Sequence, residues 1–449
     1  MKCAGALLKV ASRSWLKRRR GGGRLPPVVK QVTDMLRLTA LAATVAALTA
    51  APALANPAPT TVKTHDGCRN TGSFERWVQD FRKDAVAAGI DPRVVESALP
   101  YMQFAPEIIQ RDRNQGVFQQ SFLQFSDRMV AGFRIKNGEI MLKRHAAILA
   151  RVEKQYGVPA PVLVAFWGLE SDFGSNTGKH NILRAIATLA YDCRRTEYFR
   201  QQLLDALRIL QRGDLTVAEM NGGDWAGELG AMQFTASDYY KFAVDYDGDS
   251  RRDLVRSTPD TLASAANFLS SLGWKRGEPW LQEVRVPATM PWEQADLQIQ
   301  HPRAQWVKWG IAAAHGALPA DDMPASLVLP MGRNGPAFLA YNNFKAFLGW
   351  NSALVYSTTV AYYATRLAGA PPVGRGNAPV TVLTSQQLLE LQMMLARSGY
   401  DVGKPDGKLG AMTRAAVRQA QLKYGLPADS YPSLELMDRL KGTTLGAAR

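Results

Sequence analysis

Cysteine and histidine are scarce in this 449-residue chain, with three of the first and five of the second. Cys3, Cys68 and Cys193 form no CxxC pair, and His65, His145, His180, His301 and His315 are scattered without ligand spacing. That excludes a structural zinc site and argues against a catalytic metal. No serine–histidine–aspartate or cysteine–histidine arrangement specifies a peptidase. Strand-like alternation is sparse, and no internal repeat has the period of a solenoid.

Negative charge is also short, with 39 acidic against 54 basic side chains and a net +15. The excess is uneven. Ten basic residues against the single acid Asp34 give residues 1–55 a net +9, leaving +6 for the rest. The modest remainder would favour anionic partners, and no nucleic-acid motif accompanies it. Residues 1–55 pair this basic stretch with the apolar run LRLTALAATVAALTA from Leu36, then ALA at Ala53–Ala55. That order reads as a secretory signal peptide, and the run is too short for a comfortable membrane span. An uncleaved anchor is the alternative. The mature chain would keep Cys68 and Cys193, either as a disulfide in an oxidising compartment or as two thiols.

Residues 56–72 form a polar lead. From Ser73 the apolar spacing is helical: Phe74, Trp77, Val78 and Phe81 share a face, and the period returns over 117–129, 142–156, 201–210, 262–272 and 338–348. The body over 73–368 is therefore predicted to be mainly α. GAPPVGRGNAPV breaks the pattern as a linker over 369–380, and residues 381–443 read as a compact bundle of three short helices, with Thr413 a plausible cap.

Within the body, PAPVLVAFWGLESDFG from Pro159 reads as an apolar helix with Glu170 at its end. A carboxyl partly stripped of water there can hold a proton near neutrality, although a surface or ion-paired glutamate fits equally. Asp172 does not share its face, so no opposed second carboxylate is present locally. Glu197, among Arg194, Arg195 and Arg200, is better placed for an ion pair than for proton transfer, and Glu228 has a weaker claim. DWAGELGAMQF from Asp224 combines close-packing glycines with Gln233 and aromatics suited to a sugar. Asp245, Asp247 and Asp249 stand at positions one, three and five of a calcium-like loop, but Ser250 and Arg256 occupy positions six and twelve, where glycine and glutamate belong. Asp260 either closes a variant loop or caps the next helix.

In order and spacing, AFWGLESDFG, ATLAYDCRRTEYFR, WAGELGAMQF, AVDYDGD and ANFLSSLGW resemble the B-type lytic murein transglycosylases. The resemblance implies a lysozyme-like helical catalytic region. It also implies non-hydrolytic cleavage of the β-1,4 bond between N-acetylmuramic acid and N-acetylglucosamine, leaving 1,6-anhydro ends. A lysozyme-like hydrolase and a non-enzymatic wall-binding protein are the alternatives. It places the acid and base on Glu170 and the sugar site on Gln233, Asn351 and Tyr356. Trp350 stands where the family has a tyrosine, as an aromatic wall, and Asp224 where it has a serine on the substrate side. Phe268 also replaces a tyrosine. It implies no cofactor for the chemistry and a structural calcium or other cation at Asp245, Asp247, Asp249 and Asp260. The last module resembles a peptidoglycan-binding domain in which Asp429–Tyr431 replaces an Asp-Gly turn. A periplasmic, wall-associated monomer acting on glycan strands, alone or with other wall proteins, is the resulting expectation.

Overall fold

The computed structural model describes residues 72–114 and 120–446. The expected signal peptide, Cys3, Cys68 and the start of the 117–129 stretch lie outside them. Among the described residues six helices come first: α1 (Phe74–Ala87), α2 (Pro92–Ala98), α3 (Pro106–Arg113), α4 (Phe122–Met129), α5 (Gly132–Arg144) and α6 (Ala146–Tyr156). Their starts follow from local chemistry. The Ser73 and Asp91 side chains accept backbone N–H groups of Arg76 and Arg93, and Ser121 with Gln124 closes a capping box on α4.

At the centre lies α7 (Ala160–Ser171), in which every residue from Val162 to Leu169 is buried. The sequence predicts an apolar face. The structure makes the helix apolar all round because other helices surround it. In the same core lie α8 (Ile182–Tyr191), α9 (Thr196–Gln211), α10 (Ala236–Phe242) and α11 (Thr258–Ser271), whereas α12 (Arg303–Lys308) buries Trp306 in a second core, and α13 (Phe344–Trp350) and α14 (Leu354–Leu367) return to the first. A two-stranded ladder joins β1 (His180–Asn181) to β2 (Asn221–Gly223).

Within this mainly α body stands a five-stranded antiparallel sheet that the sequence pattern did not reveal. It comprises β3 (Leu281–Arg285), β4 (His301–Pro302), β5 (Ala312–Ala313), β6 (Pro324–Val328) and β7 (Ala337–Ala340), ordered β4-β6-β7-β3-β5. Both faces are covered. Phe338 and Ala340 enter the main core, while Ala337 and Leu339 enter a second core with Trp306 and Leu327. A strand buried on both faces carries no polar alternation, which is why it escaped the sequence pattern. The helix expected over 338–348 is accordingly β7, a turn at Tyr341–Asn343, and α13.

The last module has its own core between α15 (Ser385–Arg397), α16 (Ala411–Lys423) and α17 (Leu434–Gly446). Thr413 does not cap α16, whose N-cap is Gly410. It is buried and accepts from the Gln392 amide. The module docks on the body through the residues that set it apart. Asp429 accepts the Arg333 N–H, Tyr431 packs against Gly332, and Arg414 donates to the Leu329 and Pro330 carbonyls. Burial pulls the Arg414 pKa down to about 10, so its guanidinium stays charged at neutrality. The stretch over 369–380 is held as well, with Gly374 donating to Glu283 and Asn377 to the Asn334 carbonyl.

Candidate active site

Glu170 sits in the last turn of α7 and is half-buried. Its Oε1 accepts two hydrogen bonds from far along the chain: the Trp350 indole Nε1–H at 2.6 Å and the Tyr356 hydroxyl at 2.5 Å. Both donors are neutral. An indole N–H can only donate. The Tyr356 hydroxyl is pushed well above its ordinary range, chiefly by burial and then by the negative charge of Glu170, with Glu228 adding. It therefore stays protonated and donates too.

Trp350, expected from the resemblance as an aromatic wall, lies inside the protein. Its ring is fully buried against Phe166, Phe234 and Phe268 at centroid distances of 4.4, 5.4 and 5.3 Å. An apolar Phe268 suits that packing, since a hydroxyl in this cluster would need a partner of its own. Asp224 is likewise an internal support. Its Oδ1 accepts the backbone N–H groups of Ala226 and Glu228 at 2.7 and 2.9 Å, folding the loop back so that the Asp224 N–H meets the Glu228 carbonyl. Gly230 then passes so close to Leu254 that a Cβ would lie 2.2 Å from its carbonyl oxygen, which only a glycine at φ +68° permits.

Gln233 and Asn351, both expected on the sugar, are 2% and 0% exposed. Gln233 holds a left-handed φ of 48° while its amide donates to the Thr177 and Gly230 carbonyls. Asn351 accepts the Ala353 N–H just ahead of α14, the helix that carries Tyr356. The loop is joined to α7 by Ser171, whose hydroxyl donates to the Ala231 carbonyl at 2.5 Å. Glu170, Trp350, Tyr356, Gln233 and Asn351 thus belong to connected elements, with Glu170 the most exposed of them.

Glu197 is exposed, and the arginines near it are engaged elsewhere: Arg194 and Arg195 with the buried Asp112, and Arg200 with Asp84. The ion pair expected at Glu197 is therefore made by Asp112. Glu228 is 2% exposed and close enough for its charge to act on Tyr356, a proximity that sequence spacing did not reveal.

Asp245, Asp247 and Asp249 bring carboxylate oxygens within 4.8 Å of one another. Asp260 is oriented differently: fully buried, it accepts the N–H groups of Tyr246, Asp247 and Asp253, and Ser257 caps α11. Its part is to shape the loop. Arg256, at the twelfth position, turns to Asp253 and Glu219. Cys193 is disulfide-bonded, and its expected partner Cys68 lies outside the described residues.

Residues 73–365 match the family described as transglycosylase SLT domain, and residues 384–440 match a putative peptidoglycan-binding domain. The membrane-bound lytic murein transglycosylase B of Escherichia coli (strain K12) is 31% identical over 159 residues. That match covers 35% of this chain and 44% of that protein's length. Among solved structures, SltB3 from Pseudomonas aeruginosa in complex with NAG-anhNAM-pentapeptide aligns with a TM-score of 0.76 and 40% identity, covering 82% of this chain and 99% of that one. The Escherichia coli lytic transglycosylase Slt35 in complex with calcium aligns at 0.56 and 25% identity, over 65% and 92% of the respective chains.

Proposed function

The chain belongs to the transglycosylase SLT domain family and carries a carboxy-terminal peptidoglycan-binding domain, and from this we propose that it is a lytic murein transglycosylase with Glu170 as its acid and base. The observation that carries this reading is the pair of neutral donors on Glu170 Oε1. With that oxygen fixed as an acceptor, the acid proton belongs on Oε2.

Oε2–H gives its proton to the oxygen linking N-acetylmuramic acid to N-acetylglucosamine as the C1–O bond breaks. The substrate's acetamido group stabilises the positive C1. The carboxylate, held by Trp350 and Tyr356, then takes the proton of the muramoyl C6 hydroxyl while that oxygen bonds to C1. The proton returns to Glu170, water is not consumed, and no second carboxylate is needed. The ligand named for SltB3, NAG-anhNAM-pentapeptide, has the anhydro end this path produces. Gln233 and Asn351 shape the sugar site from within, and the docked module holds the enzyme on glycan strands. The activity is checked by weighing the muropeptides released from peptidoglycan. Ends one water lighter than reducing ends are expected, and reducing ends alone would assign a hydrolase.

No cofactor enters this chemistry. Asp245, Asp247 and Asp249 offer the hard oxygen donors a calcium ion takes, and they would hold it as a structural brace for the loop before α11. Millimolar calcium is expected to raise the melting temperature by about 5 °C over the chelated protein, through binding to the folded state alone. Asp245→Asn combined with Asp249→Asn should remove the difference, and equal melting of the parent protein with and without calcium would dismiss the site. Export through the basic-apolar leader, a periplasmic wall-associated location and action as a monomer complete the proposal. No helix among the described residues is long and apolar enough to cross a membrane.

A further inference from the structure

We infer that Arg134 is a positioning residue for Glu170, acting by clamping Asp172 in the turn that ends α7. The inference rests on the role proposed above for Glu170.

The backbone leaves α7 in a demanding way. Asp172 and Phe173 adopt φ of 50° and 61°, and Gly174 follows at 84°. Two successive side-chain-bearing residues in the left-handed region relax unless their surroundings hold them. Relaxation would unwind the last turn of α7, where Glu170 lies two residues before Asp172.

Two restraints are visible. The Phe173 ring lies over the bare backbone of Gly168, where a Cβ would come within 2.9 Å of it. Arg134 restrains Asp172 directly, its Nε and Nη2 donating to the single oxygen Oδ1 at 2.8 and 2.6 Å while Nη1 donates to the Met129 carbonyl. The Arg134 side chain is 8% exposed and the Asp172 side chain 36%, so the guanidinium is anchored inside and reaches out to the turn.

The anchor is tied to the rest of the site. Arg134's own carbonyl accepts the Tyr363 hydroxyl at 2.6 Å. Tyr363 lies two turns along α14 from Tyr356, the donor to Glu170. The Tyr363 ring also packs at Gly168, and its hydroxyl at Gly138, where a Cβ would stand 2.6 Å away. One helix thus supplies a hydrogen bond to Glu170 and the support for the arginine that fixes the turn beyond it.

The test uses the full chain. R134M is expected to lower kcat on soluble glycan chains about a hundredfold with KM within about twofold, the signature of a disturbed chemical step rather than weakened sugar binding. Glycine adopts the left-handed conformation without restraint, so R134M/D172G should recover about tenfold of that loss. The Trp350 indole N–H resonance, assigned with W350F, reads the same geometry without turnover. It should move in R134M and return toward its original position in the double variant. R134K, which keeps the charge, guards against a folding defect in R134M. Unchanged kcat and indole resonance in R134M would overturn the inference, as would a loss confined to KM or a double variant no better than R134M. Failure of the Glu170 reading would show separately, as parent protein releasing no anhydro ends while the indole resonance still follows the Arg134 substitutions.

Discussion

Replacing Glu170 by glutamine is expected to slow glycan cleavage by at least about a thousandfold, because one group both gives and takes the proton. The substitution suits the site. A glutamine Oε1 still accepts from Trp350 and Tyr356, so the aromatic cluster and the end of α7 keep their partners. What is lost is the transferable proton, since an amide nitrogen is neither an acid nor a base near neutrality. Muropeptide release should fall to background while the melting temperature and peptidoglycan binding stay near those of the parent. A variant that keeps a tenth of the rate would place the proton carrier elsewhere, with Glu228 the first residue to examine.

Tyr356→Phe removes the hydroxyl that donates to Glu170 Oε1 and little else. The residue is 5% exposed and its ring packs in the core, so an isosteric phenyl fills the same space. Loss of a preorganised donor to a group that becomes charged during the reaction is expected to lower kcat about a hundredfold. The pH profile adds a sign. A hydrogen bond donated to a carboxylate favours its ionised form, so removing it holds the proton on Glu170 to higher pH. The alkaline fall in rate, where the acid form is exhausted, should therefore move upward in Tyr356→Phe. A lower kcat with an unmoved profile would assign Tyr356 to sugar binding.

Glu170 was legible as a candidate because its signals are local: an apolar run, a glutamate at its end, a glycine just beyond. Its partners were not. Trp350 and Tyr356 are separated from Glu170 by 180 and 186 residues, and no periodicity encodes which side chain of one helix meets the end of another. For the same reason Trp350 read as a wall when it is a buried donor, and Asp224 as a substrate contact when it staples its own loop. The resemblance supplied which residues gather at the site. The distances supplied what each one touches there.

The helical body and the three-helix module follow from spacing and caps, whereas the sheet does not. Its strands run two to five residues, and with cores on both sides β7 presents four buried residues in succession. Such a segment cannot be told from a piece of buried helix. Asp260 shows the same limit at the scale of one side chain. Sequence places it near the aspartate triplet, but only its burial and three backbone donors reveal that it shapes the loop. Asp429 and Tyr431 read as a departure from a turn pattern. In the structure they carry the docking of the module on Gly332 and Arg333.

The central claim is that the C1–O bond is closed by the substrate's own C6 oxygen rather than by water. Digesting peptidoglycan with the full chain in water labelled with heavy oxygen tests it most directly. Released muropeptides with unlabelled anhydro ends are the predicted result, and heavy oxygen at C1 of reducing ends would contradict it.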